Sequence, residues 1–460
     1  MTDAERANRR GRGYPNPVFG GSPDGPSIGL CQGALPTHTR GPGGPARGIN
    51  DCSPPIQRDR RTLMAPPIPS PQRVALVLPS VLASGTERRI SFVFRHLERR
   101  YPGQYLLIVS PDLFPILNRG GFGLDRLPGV RVLGPRSPFD RKAGAHAPWF
   151  VNLGRLATLR RYREELRQIV EVDRVSLLQA YLEVVPVLGL FPIRDLPTIV
   201  SVVDHIPKYF DGATLDSRLL LRASRQASAV DCLFGWVAQR LEALGVPSSS
   251  LNYPEWNTVN HDAFHPESKD LSVSFAARAI DWKNPLLMIE VIDRVLSRRP
   301  DVRFSLLGRG SQQGQLVRRM RRQKWTESVL TGYFEDPSPI VNRSLIHVSL
   351  DQYDNFTNQS LLEGMSAGCA VVASNVGNTD RVVDEEVGLL VELNPESVAE
   401  AILQLADDPA RVEAMGKAGR QRVLSRHHVD RYVDYLRALH DPNRAAPLRG
   451  GTQAPEVQVV

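Results

Sequence analysis

Two cations stand five residues apart in the stretch FAARAIDWKNP: Arg278 and Lys283. Arg278 ends a strand-like run. Lys283 precedes a helix that Asn284 would cap and Pro285 would open. A strand end, two positive charges and a helix N-terminus make an anion site, and a diphosphate fits its charge and size. The competing reading is two exposed loop cations without a fixed partner.

A second cluster lies in DNFTNQSLLEGMSAGCAVVAS, from Asp354 to Ser374. SLLEGMSAG reads as a two-turn helix stopped by Gly368, and CAVVAS as a buried strand. Amides and a hydroxyl (Asn355, Asn358, Gln359, Ser360) crowd ahead of a lone carboxylate, Glu363. Ser360 and Glu363 fit a capping box, in which Glu363 reaches back to the amide of Ser360. The functional reading makes Glu363 a bidentate acceptor for two vicinal hydroxyls, such as those of a ribose, with the helix N-terminus facing phosphates.

Elements on both sides must position these groups. VALVLPS from Val74 is a buried-strand run, followed by a helix with Ile90, Val93, Phe94 and Leu97 on one face. QYLLIVS, SLLQAY and TIVSVVDH are further strands. The polar segment 252–269 reads as a hinge. Beyond it VSFAAR, VRFSLLG, SVLTGY, IHVSL, CAVVAS and GLLVE alternate with helical stretches, and Asn394-Pro395 opens another helix. Repeated βα units imply parallel sheets covered on both faces. The expected organisation is an unstructured tail (1–72), an α/β domain (73–250), a second α/β domain (265–425), a closing helix (426–440) and a short unstructured end (441–460). Ligands of such folds bind outside the carboxyl ends of the strands.

Composition narrows the class. About a third of residues 1–72 are Gly or Pro, with no apolar periodicity. A net charge of +8 suits anionic partners without choosing one. Cys31, Cys52, Cys232 and Cys369 form no CxxC pair, which argues for reduced thiols, a cytoplasmic setting and no zinc site. No run approaches the roughly 20 apolar residues of a membrane span. The helix RLATLRRYREELRQIV carries Leu156, Leu159, Leu166 and Ile169 on one side and arginines elsewhere. It could dock on an anionic membrane, or simply present a solvated charged face. The arginine-bearing tail has almost no aromatics to stack bases, so no specific nucleic acid partner is expected.

These motifs together resemble the family 4 retaining glycosyltransferases of the GT-B fold (glycosyl transferases group 1). The resemblance rests on Arg278 and Lys283 in FAARAIDWKNP, the LLGRG loop, NQSLLEGMSAGCAVVASNVGNTDRVV and EVGLLVELNPESVAEAI. It is strong over 270–440 and weaker over 73–250, through ASGTERR and VVDHIP. It implies two Rossmann-like domains facing across a cleft, a nucleotide-sugar donor, no cofactor and no metal. Arg278 and Lys283 would bind the donor diphosphate, in place of the metal that a D-x-D motif would hold in the other common glycosyltransferase fold. Glu363 would bind the ribose. Eight residues earlier, where a second glutamate is implied, stands Asn355; its neighbour Asp354 would restore the acid if one residue is inserted. An asparagine can still bond sugar hydroxyls. His205 would lie near the donor sugar, unless Asp204 takes that place. Gly85 would form a glycine turn near the phosphates, and Tyr333 with Phe334 would flank the base. The acceptor is left open: a glycan, a lipid or another group. Two alternatives remain at this level, a non-catalytic scaffold or nucleotide-sugar sensor and a sugar epimerase on the same fold.

Overall fold

The computed structural model of the chain describes residues 73–80, 83–134, 153–181, 184–193, 195–203, 214–254, 256–354 and 356–450. The expected tail 1–72, His205 and Asn355 lie outside the described residues.

Strands β1 (Val74–Leu78), β2 (Tyr105–Val109), β3 (Val130–Val132), β4 (Leu177–Tyr181), β5 (Thr198–Val202), β6 (Ala229–Cys232) and β7 (Leu251–Asn252) form a first sheet in the order β3-β2-β1-β4-β5-β6-β7. Strands β8 (Asp270–Ala276), β9 (Arg303–Leu307), β10 (Val329–Gly332), β11 (Ser344–Ser349), β12 (Ala370–Ser374) and β13 (Gly388–Val391) form a second, in the order β10-β9-β8-β11-β12-β13. Every pairing in both is parallel. The continuous apolar runs explain why. β1, β2, β4 and β12 are buried at every residue, as strands covered by helices on both faces must be. In each sheet the strand order reverses once, between β1 and β4 and between β8 and β11. Those reversals open a crevice at the carboxyl ends.

The chain passes from the first sheet to the second through 253–269 and returns after the helix Pro409–Arg426. The last helix, Val429–Leu439, lays Val429, Tyr432, Val433 and Leu436 on the core of β1, β2 and the first helix, Gly85–Arg100. The two crossings are tied together. Arg89 Nη1 donates to Asn257 Oδ1 (2.7 Å), Thr258 Oγ1 donates to the carbonyl of His427 (2.8 Å), and the rings of His261 and His428 stack 4.3 Å apart.

Three expectations are corrected. The helix after Lys283 begins at Leu287, not at a cap on Asn284. Asn284 adopts a left-handed conformation (φ 54°) that ends a 3₁₀ turn, and its amide donates to the Leu350 carbonyl instead (3.0 Å). Residues 441–450 are not an unstructured end. Leu448 N donates to Asn252 Oδ1, Tyr253 N to the Leu448 carbonyl and Gly450 N to the Tyr253 carbonyl, extending the β7 edge. The closing helix is shorter than 426–440 at both ends.

The helix Leu153–Val172 buries Leu159, Tyr162, Leu166 and Val170. Its arginines pair with its own glutamates, Arg161 with Glu165 and Arg167 with Glu164 and Glu171. Much of its positive face is thereby neutralised. No helix among the described residues is long and apolar enough to cross a membrane.

Candidate active site

The reversal point of the second sheet gathers the cations. Arg278 follows β8, and its backbone is wedged against the LLGRG loop. Gly308, at φ 149°, could not carry a Cβ, which would fall 1.9 Å from the Ala277 carbonyl. Arg278 is exposed, with its Cζ 5.6 Å from the Trp282 ring centroid; Lys283 Nζ lies 4.4 Å from the same ring. Both cations therefore border one indole, whose π face attracts positive charge.

Lys283 is not an exposed loop cation without a fixed partner. It is buried, and its Nζ lies 2.5 Å from Asp351 Oδ1. Asp351 follows β11, the other strand of the reversal. Its Oδ2 accepts from Asn358 Nδ2 (2.6 Å), which also donates to Ser349 Oγ (2.7 Å), while Asn358 Oδ1 caps the next helix by accepting from Ser360 N (3.0 Å). A continuous polar chain thus links the lysine to the N-terminus of the helix Gln359–Ser366. Burial lowers the Lys283 pKa, Asp351 opposes this, and Arg278 adds to it.

The capping-box reading of Ser360 and Glu363 is overturned. Asn358 is the N-cap, so Glu363 is the fifth residue of the helix and too far along to reach back. Ser360 is used differently. Its hydroxyl donates to the Ala276 carbonyl (2.6 Å), so His347 Nε2, 3.0 Å away, must carry the proton it offers to Ser360 Oγ. His347 Nδ1 then accepts from Ser274 Oγ (2.9 Å). Burial lowers the His347 pKa to about 4, consistent with this neutral ring. Gly364 lets the helix close on that ring, since a Cβ there would lie 2.5 Å from it.

Glu363 is left without a hydrogen bond among the described residues. It is 5% exposed, and its one charged contact is Arg88 Nη2 at 4.0 Å, too long for a hydrogen bond. Burial raises the Glu363 pKa; Arg88 opposes the rise and Asp336 adds to it. A buried carboxylate with open lone pairs costs stability unless something binds it.

The first domain supplies the facing wall. Gly85 is the first residue of its helix, capped by Ser84, whose backbone N donates to Glu87 Oε2 (2.8 Å). It is no left-handed turn glycine. What it provides is proximity, because a Cβ there would lie 3.0 Å from Gln359 Cβ. Gln359 Oε1 is buried at this contact without a hydrogen-bond partner. Further along, Arg119 grips Glu335 with a bidentate fork (2.8–2.9 Å). Beside it Tyr333 is exposed, and Arg309 Cζ lies 4.2 Å over its ring. Asp354 is committed to the loop after β12, accepting from Asn378 N (3.2 Å), Asn378 Nδ2 (2.6 Å) and Phe356 N (3.1 Å).

Contacts therefore join Lys283, Asn358, Ser360 and, through Trp282, Arg278; they join Gln359 to Gly85 and bring Arg88 beside Glu363. Tyr333 lies at a neighbouring strand end and Asp354 outside this network. Sequence reasoning missed Asp351, Arg88, Arg119 and Glu335. Asp351 carried a signal, a lone acid directly after the buried strand IHVSL. The others sit on polar faces where nothing local distinguishes them.

Comparison with known proteins agrees with this geometry. Residues 270–408 match the family model for glycosyl transferases group 1. The chain is 25% identical over 202 residues to the poly(ribitol-phosphate) alpha-N-acetylglucosaminyltransferase of Staphylococcus aureus, covering 43% of this chain and 41% of the relative. It is 26% identical over 216 residues to the D-inositol 3-phosphate glycosyltransferase of Kribbella flavida, covering 44% and 51%. The chain thus spans about half the length of these curated relatives. Among solved structures, Anabaena HepE in complex with UDP and glucose superposes with a TM-score of 0.62 at 16% identity, over 80% of this chain and 98% of that one. The protein has the GT-B fold, and the segment that carries its second sheet matches the glycosyl transferases group 1 family model.

Proposed function

We propose that the protein is a family 4, retaining glycosyltransferase that moves a sugar from a nucleoside-diphosphate sugar to an acceptor hydroxyl, without a metal. The observation that carries this is Glu363, a buried carboxylate with no hydrogen bond among the described residues, on the helix whose N-terminus the Lys283–Asp351–Asn358 chain reaches. A ribose diol supplies the two donors that Glu363 lacks. Arg278, Lys283 and the first turn of the helix Gln359–Ser366 face the diphosphate. Tyr333, stacked under Arg309, borders the base.

In the reaction, the bond from the sugar's anomeric carbon to the diphosphate oxygen breaks, and that oxygen gains negative charge. The two cations stabilise it more in the transition state than in the bound donor. The acceptor oxygen bonds the same face of the anomeric carbon, and its proton passes to the departing phosphate, so no protein base is required. The wall formed by Gly85 and Gln359 limits water at the reacting bond. His205 and Asn355 are assigned to the donor sugar. The relatives act on a poly(ribitol-phosphate) and an inositol 3-phosphate. Together with the basic balance, this points to a phosphorylated polyol or an envelope glycan as acceptor.

A thermal-shift panel of UDP, GDP, ADP and dTDP, with their sugars, tests the reading. A ligand at 100 times its Kd adds about 2.7 kcal/mol of stability. No shift with any of them would sink it. One observation favours a second reading. Asp354 is engaged by Asn378 and does not stand in for a missing acid, as a non-catalytic nucleotide-sugar sensor would permit. Donor binding without transfer or donor hydrolysis would decide for the sensor.

A further inference from the structure

Arg88 is the fourth residue of the first helix, on the wall opposite Glu363. Its side chain is 18% exposed, and its Cζ lies 5.7 Å from the Phe264 ring centroid. Its Nε is buried without a hydrogen-bond partner. Neighbouring Glu87 is already engaged by Ser84. Arg88 Nη2 lies 4.0 Å from Glu363 Oε1, beyond hydrogen-bond reach. At that separation in a poorly hydrated cleft Coulomb attraction persists, while the carboxylate lone pairs remain uncommitted.

We propose that Arg88 is a positioning residue for the nucleotide: from the opposite domain it keeps Glu363 ionised without occupying the oxygens that the ribose hydroxyls need. The inference rests on the ribose assignment of Glu363. Among the described residues two charged groups act on this carboxylate, Arg88 from the first helix and Asp336 from the turn after β10. Asp336 and burial both favour protonation, so Arg88 alone opposes it. Without Arg88 the carboxyl pKa rises further. A protonated carboxyl is a poorer acceptor for a diol, so nucleotide affinity becomes proton-linked and falls as pH falls.

The experiment is calorimetric titration with UDP, or with the panel diphosphate that stabilises most, from pH 6 to 8.5. It compares the parent with Arg88→Met, Arg88→Lys, Glu363→Gln and the Arg88→Met/Glu363→Gln double variant. Parental affinity should change less than about twofold across the range. Arg88→Met should lose affinity on acidification, by up to about tenfold per pH unit, the limit for one linked proton. Arg88→Lys should restore the flat profile, and the double variant should be flat because glutamine does not titrate. Should Arg88→Met fail to fold in a melting scan, Arg88→Gln takes its place. If Arg88→Met follows the parent at every pH while Glu363→Gln binds at least tenfold more weakly, the role of Arg88 is wrong and the ribose assignment stands. A uniform loss at all pH values also overturns it, by making Arg88 a direct ligand. Parental affinity in Glu363→Gln would sink the ribose assignment itself.

Discussion

Asp231 and Glu363 are both buried carboxylates whose pKa burial raises, yet their surroundings differ. Asp231, on β6 under the closing helix, accepts from Tyr435 OH (2.7 Å), Ser201 Oγ (3.0 Å) and Gln179 Nε2 (3.3 Å). Gln179 Oε1 is in turn 2.7 Å from His440 Nε2, whose Nδ1 lies 3.3 Å from Tyr105 OH. Every partner there comes from the protein. Glu363 has a cation at a distance and, among the described residues, no hydrogen bond. The contrast separates a carboxylate that completes a fold from one that waits for a ligand: the first has its acceptor capacity filled, the second keeps it open.

Lys283 tests the boundary between these classes most severely, being partnered by the protein and yet in the site. Lys283→Ala should lower turnover by about 10²–10³, the scale for removing one preorganised charge-stabilising group. It should also destabilise by about 3–5 kcal/mol, because the buried Asp351 carboxylate loses the ammonium 2.5 Å from it. Initial rates together with urea melts measure both. Parental turnover in a destabilised variant would move Lys283 to the structural class.

The two carboxylates themselves come next. Asp231→Asn should cost about 1–3 kcal/mol of stability, since its new amide faces donors, with nucleotide affinity unchanged. Glu363→Gln should melt at or slightly above the parental temperature and bind nucleotide at least tenfold more weakly, having lost charge-assisted bonds worth about 1.5–3 kcal/mol. If both variants lose stability alike and affinity not at all, the contrast drawn above has no functional meaning.

Acid sharpens the same comparison, because each region contains a histidine held neutral. Burial lowers His440 to about 3 in the first region and His347 to about 4 in the second; His261 and His427 at the crossings are lowered to about 4. The unfolded chain binds these protons at the usual value of about 6.5. Stability from these groups is therefore complete above pH 6.5 and lost as pH falls towards 4. Urea midpoints should drop through that window with an uptake of up to about four protons. A midpoint independent of pH there would show that these rings are not buried neutral. The smallest effect should belong to Arg119→Ala. Its pair with Glu335 is solvent-exposed, so the melting temperature should hardly move, and any change in nucleotide affinity should vanish in high salt.

Much of this was legible in the sequence because it is local. Strand runs such as VALVL and AVVAS, the Asn394 cap and the order of the second-domain motifs each depend on neighbours a few residues away. The GT-B architecture and the cation corner followed from them. What failed depended on distant partners. Asn284 looked like a cap until a carbonyl 66 residues away took its amide. Glu363 looked like half of a capping box until Asn358 took the cap, leaving Ser360 to a carbonyl 84 residues back. Arg88 meets Glu363 only because two sheets face each other, which no window of the sequence contains. The end 441–450 looked unstructured because its order comes from backbone bonds to the β7 edge.

The return of the chain to the first sheet has a consequence for synthesis. Tyr105 and His440 touch although 335 residues separate them, and Tyr432 and Leu436 cover the same face of β1 and β2. During translation that face emerges bare and stays bare until the second domain and the returning helix have left the ribosome. Its apolar strands are exposed for the interval in which the second domain is made, when aggregation competes with folding. A stalled chain lacking residues beyond 428 should remain protease-sensitive within 74–109, and one whose residues through 440 have cleared the tunnel should be resistant. The first sheet is thus begun before the second and finished after it.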